Sequence, residues 1–165
     1  MPLRNVFPIQ KIVPIAADMV AGKGVMTTPI LNTLPASLLV CYEVIFPGRV
    51  AEIETRPYWL VNVTTDGWYG ISAGPYQHFA AAQMRAVEEG LPLARSANTG
   101  ISGMIDAYGR ITASLDLGKE GFVDAGLPRR TDKATFYGTY GNSVPLIFCL
   151  MLLIAAALPY RKRSK

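Results

Sequence analysis

Residues Ser37 to Glu43 read Ser-Leu-Leu-Val-Cys-Tyr-Glu: four strand-compatible residues deliver a cysteine straight into the polar, turn-like Tyr-Glu-Val-Ile-Phe-Pro-Gly. Strand ends in folds that mix helix and sheet open onto clefts. A nucleophile fixed at a sharp strand-to-helix turn is held rigidly with its sulfur exposed. Cys41 is therefore the candidate nucleophile. The stretch taken alone is also compatible with a small buried hydrophobe, because the reactivity of a thiol depends on its neighbours.

The next apolar run, Tyr58 to Val63, reads as a second buried strand and empties into Thr64-Thr65-Asp66-Gly67-Trp68-Tyr69-Gly70, a loop rich in aromatics for simple turn chemistry. Gly74-Pro75-Tyr76-Gln77-His78 then opens a helix running to about Gly90, with Phe79, Met84, Val87 and Leu91 at helical spacing and Arg85, Glu88 and Glu89 towards the other side. Pro92 to Asn98 reads as a strand. Two more follow, Ser102 to Ala107 and Arg110 to Leu115, with Ala107-Tyr-Gly-Arg110 as the hairpin turn.

The order of these blocks resembles the C-terminal half of the nitrilase-like domain of apolipoprotein N-acyltransferases. The matching elements are Val40-Cys41-Tyr42-Glu43, Asp66 to Gly70, Gly74 to His78, Met84 to Glu88 and Leu93 to Gly100, and the likeness runs from Pro2-Leu3-Arg4 to the apolar tail. The resemblance implies an α+β chain: a partial nitrilase-like αββα sandwich followed by one C-terminal transmembrane helix. It implies Cys41 as the carrier of an acyl thioester, with Tyr42 and Glu43 as further catalytic positions beside it. Trp68 and Tyr69 match an aromatic pair in a mobile loop at the lipid entrance, and are the expected substrate-binding residues. The glutamate base and the lysine of such enzymes lie upstream of Pro2-Leu3-Arg4. Lys11 and Lys23 do not match that lysine.

Several roles stay open on the residues themselves. Glu43 could equally be a cap or turn carboxylate for a helix starting near Pro47. Trp68 and Tyr69 could form a packed hydrophobic turn, and His78 reads more readily as a helix-start hydrogen bonder than as an acid or base. Acyl transfer through a thiol needs a nucleophile, a base, oxyanion donors and control of the acceptor; this chain clearly offers the first.

Val144 to Leu158 carry no charge and are flanked by Tyr137, Tyr140 and Tyr160 and then by Arg161-Lys162-Arg163-Ser164-Lys165. A spanning helix needs about 20 apolar residues, so the run spans if Asn142, Ser143, Pro159 and the tyrosines sit at the interfaces. The expected organisation is 1–138 as the second half of the nitrilase-like domain, 139–160 as the transmembrane helix and 161–165 as a basic cytoplasmic tail. Basic residues collect on the cytoplasmic side, and the resemblance likewise puts the globular part in the periplasm, at the bacterial inner membrane. The formal charge of +4 comes substantially from the last five residues, which excludes a nucleic-acid footprint. One histidine and two distant cysteines do not make a zinc site, and no cofactor is expected.

The implied reaction moves an acyl chain from a phospholipid donor to the N-terminal diacylglyceryl cysteine of a lipoprotein acceptor, at the membrane. A separately supplied upstream half is a further expected partner, because open strand edges, an uncovered apolar face and the lack of a leader or earlier span lead one to expect a truncated or split gene product, inactive alone. Two other readings remain: a nitrilase-like amidase hydrolysing a C–N bond, and a noncatalytic membrane-anchored remnant.

Overall fold

The computed structural model describes residues 22–157; Pro2-Leu3-Arg4, Lys11, Pro159, Tyr160 and the basic tail lie outside the described residues. Among the described residues, six strands form one mixed sheet in chain order: β1 (Thr27–Thr28), β2 (Ala36–Val40), β3 (Trp59–Thr65), β4 (Leu93–Asn98), β5 (Ser102–Ile105) and β6 (Ile111–Leu115). The middle strands β2, β3 and β4 are parallel, so their C-terminal ends, Val40, Thr65 and Asn98, all open at one edge of the sheet. The outer pairings are antiparallel.

Helix α1 (Gly74–Glu89) makes the crossover from β3 to β4. Pro75 in its first turn and left-handed Gly90 at its end fix the boundaries. Its buried side is Pro75, His78, Phe79, Ala82, Arg85 and Ala86, which corrects the sequence expectation: Met84 and Val87 are exposed and Arg85 is buried. The alanines bring the helix close to the sheet, whereas Arg85 is held inside by Ile45 O (3.0 Å) and Glu88 (2.6 Å).

Register sorts the face under α1 into rows. Ser37, Leu60, Leu93 and Ile105 lie side by side, and the next row is Leu39, Asn62, Arg95 and Gly103. Leu60, Leu93 and Ile105 of the first row and Leu39 of the second pack with Val44, Val50, Leu91 and Phe79 in the apolar core. The opposite face is open: Leu38, Val40 and Val63 alternate with the buried residues and are exposed.

Two further expectations are corrected. No helix begins near Pro47; a 3₁₀ turn occupies Cys41–Ile45 instead, and residues 46–50 form bends and turns. The last hairpin turns one residue early, at Asp106, whose Oδ1 accepts from the amides of Tyr108 and Arg110. An aspartate that satisfies two turn amides fixes the bend better than Ala107 could.

Beyond β6 the chain returns along α1. Arg56 donates to the carbonyls of Glu89, Gly90 and Thr131, and Arg130 donates to those of Arg56 and Pro57. The apolar tail is broken at Gly141 (φ +52°) into α2 (Phe136–Tyr140) and α3 (Ser143–Ala157). At 15 residues, α3 is about 22 Å long, and among the described residues no helix is long and apolar enough to cross a membrane. Residues 142–156 are exposed throughout.

The asymmetry between the two faces sets a stability test. Leu60→Ala, at a fully buried position, is expected to cost about 2–5 kcal/mol in denaturant unfolding. Val63→Ala on the open face is expected to cost less than about 0.5 kcal/mol; equal losses would mean that the open face is covered.

Candidate active site

Cys41 follows the last residue of β2 and has φ +52°. A non-glycine residue in the left-handed region costs about 1–2 kcal/mol, and such strain persists only where the surroundings fix it. Three side chains do so. Glu43 turns back so that its Oε2 accepts the Val40 amide at 2.7 Å. Asn62 Nδ2 donates to Leu39 O and Cys41 O, each at 3.2 Å. Arg85, from α1, donates to Ile45 O at the far end of the 3₁₀ turn. The thiol is half-buried at the apex of this braced elbow.

Beneath the elbow lies a buried polar network. Arg95 donates Nη1 to Asn62 Oδ1, Nη2 to Asp66 Oδ2 (2.8 Å) and Nε to Ile101 O (3.3 Å). The side chains of Arg95 and Asp66 are both fully buried. Burial draws the Arg95 pKa below its ordinary value, and Asp66 opposes that shift. His78 Nδ1 lies 2.8 Å from Asp66 Oδ1 and 3.1 Å from Arg95 Nη2. A guanidinium only donates and an ionised carboxylate only accepts, so a proton on Nδ1 goes to Asp66, and the Arg95 approach is then a packing contact. Nε2 is left buried without a hydrogen-bond partner among the described residues.

The aromatic loop closes over this network. Asp66 at its base donates its amide to Asn98 O (3.0 Å) and accepts the Tyr69 amide (2.9 Å). The ring of Tyr69 packs edge-on to His78 at 6.0 Å, and that of Tyr42 reaches the same imidazole at 5.6 Å. Burial first, and then Tyr42, Asp66 and Cys41, push the Tyr69 phenol up, so it stays a protonated donor. Two glycines make room: a Cβ on Gly74 would strike the Tyr69 ring at 2.7 Å, and one on Gly100 would collide with the Asp66 carboxylate. Trp68 projects outward, 87% exposed.

A carbon-nitrogen hydrolase family model matches residues 6–135. The chain belongs to the carbon-nitrogen hydrolase family. It is 47% identical to the apolipoprotein N-acyltransferase of Bradyrhizobium diazoefficiens over 93% of this chain and 28% of that protein, and 50% identical to that of Rhodopseudomonas palustris over 74% of this chain and 23% of that protein. An amidase from Nesterenkonia sp. AN1 superposes with a TM-score of 0.48 at 23% identity, covering 62% of this chain and 42% of that one. The chain thus spans less than a third of the length of these curated relatives.

In this carbon-nitrogen hydrolase chain the residues singled out by sequence fall on one end of the sheet. Cys41, Tyr42 and Glu43 form the elbow, and Tyr69 leans towards it over His78; Trp68 stands apart in solvent. His78 is a hydrogen bonder, paired with Asp66. Sequence reasoning missed Asn62 and Arg95 and the carboxylate role of Asp66. A faint signal existed: an asparagine inside the apolar run Trp59–Val63 and an arginine inside Leu93–Ala97 are polar residues at strand positions facing inward. Among the described residues no cluster of three or more His, Cys, Asp or Glu could hold a metal. A cavity of about 330 Å³ lies against β4 and β5 with Arg95 and Phe122 in its lining, and one of about 430 Å³ lies around Tyr58 and Arg130; neither is lined by Cys41.

Breaking the network should be costly. Asp66→Leu leaves Arg95 buried and unpaired and is expected to lose about 3–5 kcal/mol in chemical denaturation. Arg110→Ala, which removes the exposed arginine of the Asp106 pair, is expected to lose no more than about 1 kcal/mol.

Proposed function

We propose that this chain is the nucleophile-bearing part of an apolipoprotein N-acyltransferase. In this reading Cys41 takes an acyl chain from a phospholipid as a thioester, and passes it to the α-amino group of the N-terminal diacylglyceryl cysteine of a lipoprotein. The observation that carries the reading is Cys41 at φ +52° on a braced strand-end elbow, in a chain 47% identical to such an enzyme. Tyr42 and Glu43 shape the elbow, and Trp68 and Tyr69 meet lipid at its mouth. The exposed Trp68 and Ile71 suit a loop that touches acyl chains.

The activity needs more than these elements. The base and lysine belong to an upstream half of the enzyme, and residues 1–138 are the second half of its nitrilase-like domain. The open face with Leu38, Val40 and Val63 suits the packing of a second sheet. Residues 139–160 serve as the transmembrane helix at the bacterial inner membrane, the globular part facing the periplasm and 161–165 the cytoplasm. Support for the membrane assignment comes from α3, which is apolar all round and exposed from Ser143 to Ala156 among the described residues. Such a helix is stable against lipid and not against water. Anchoring also holds two lipid-embedded substrates in one plane with the thiol, which lowers the entropy cost of bringing them together.

Membranes containing the chain, incubated with phosphatidylethanolamine and a co-expressed upstream half, are expected to yield a hydroxylamine-labile acyl adduct on Cys41 by intact mass spectrometry. Cys41→Ser is expected to reduce it to background. No adduct in either protein would point to a noncatalytic remnant and sink the assignment.

A further inference from the structure

The Asn62 amide sits between Leu39 and Arg95 in one cross-strand row and is fully buried. Its orientation is decided by its neighbours. Arg95 has donors and no acceptor, so the oxygen Oδ1 must face the guanidinium. The NH₂ group is thereby turned to the elbow, where it donates to Leu39 O, two residues before the thiol, and to the carbonyl of Cys41 itself. Arg95 is in turn fixed by Asp66 and Ile101 O.

A buried charge pair is poor value as a source of stability, since apolar residues of similar volume commonly do as well. What the network supplies is direction: one chain of hydrogen bonds runs from Asp66 at the base of the aromatic loop through Arg95 and Asn62 to the strained residue.

We propose that Asn62, locked in one amide orientation by Arg95, is the positioning residue that holds the Cys41 elbow in its strained, attack-ready geometry. The inference rests on the reading of Cys41 as the nucleophile and adds to it the residue that aims the sulfur. Without the two donated bonds, the elbow keeps only the Glu43 and Arg85 braces, φ of Cys41 relaxes more readily towards negative values and the thiol spends less time exposed at the apex.

The test is iodoacetamide labelling of the Cys41 peptide in the full chain, read by mass spectrometry as the ratio of its labelling in the native protein to that in the same sample after denaturation, with thermal unfolding recorded alongside. Asn62→Asp keeps an acceptor for Arg95 and loses both donors. Asn62→Thr keeps a hydroxyl that accepts from Arg95 and donates to one carbonyl, and Asn62→Val is its near-isostere without the hydroxyl. The labelling ratio is expected to fall about fivefold in Asn62→Asp and Asn62→Val and to return to within about twofold of wild type in Asn62→Thr. The Thr and Val pair decides the matter if the Asp variant does not fold. An unchanged ratio in the Val variant, or losses in Thr and Val alike that follow their unfolding temperatures, overturns the proposal. The parent reading fails separately: it falls if Cys41→Ser still forms the acyl adduct, whereas loss of that adduct with unchanged labelling in the Asn62 variants removes the positioning role alone.

Discussion

The buried guanidinium of Arg95 is the constraint around which the site is arranged. Removing an arginine and an aspartate from water costs several kcal/mol per ion after relaxation, and attraction between them offsets this only with good geometry and with the remaining donors satisfied. Arg95 meets that condition through Asp66, Asn62 and Ile101 O. Each partner then imposes a local requirement. Asp66 must lie against the backbone at residue 100, which admits only glycine there. Asn62 must present its oxygen to the arginine, and so its amide hydrogens to the elbow. The β4–β5 turn must bring Ile101 O back to Arg95, and Thr99 in that turn is held at φ +57°, an unfavourable value for a β-branched residue.

Cys41 and Thr99 are thus two strained non-glycine residues at opposite borders of one network. Strain of this kind is retained where the surroundings over-determine the backbone. At Thr99 the hydroxyl bonds to Asn98 O (2.6 Å), and at Cys41 the braces come from three separate elements: the turn itself through Glu43, β3 through Asn62 and α1 through Arg85. Burial raises the Glu88 carboxyl above its usual range, opposed by the Arg85 cation beside it, which is the electrostatic mark of how tightly the α1 brace is enclosed.

The strands were readable because runs such as Trp59–Val63 are apolar and bounded by glycine, proline and polar turns, and α1 because Pro75 and Gly90 punctuate it. The inward face of α1 was not. Met84 and Val87 are more hydrophobic than Ala82 and Ala86, and periodicity weights large apolar residues when close approach to a sheet selects small ones. The cysteine elbow could be read locally, since strand, thiol and turn are consecutive. Its supports could not: Asn62 and Arg95 are 33 residues apart, and Asp66 and Arg95 are 29 apart, so their pairing exists only once β3 and β4 lie in register. The tail's apolarity was plain in the sequence, but its break at Gly141 depends on a backbone conformation that a glycine permits without requiring.

The register also explains how one sheet face does two jobs. Along β3 and β4 the same inward side passes from Leu60 and Leu93 to Asn62 and Arg95 in a single step of two residues, from apolar core to polar network. Hydrophobic burial under α1 fixes the N-terminal ends of the parallel strands and therefore their register. Register in turn sets Asn62 beside Arg95, because a slip of one residue would turn both side chains to the open face. Within the polar row only Leu39 adds to the apolar burial that sets this register, and Asn62 and Arg95 inherit their precision from the row before them. That division lets the strand ends tolerate strain at Cys41 and Thr99 without giving up the fold that holds them.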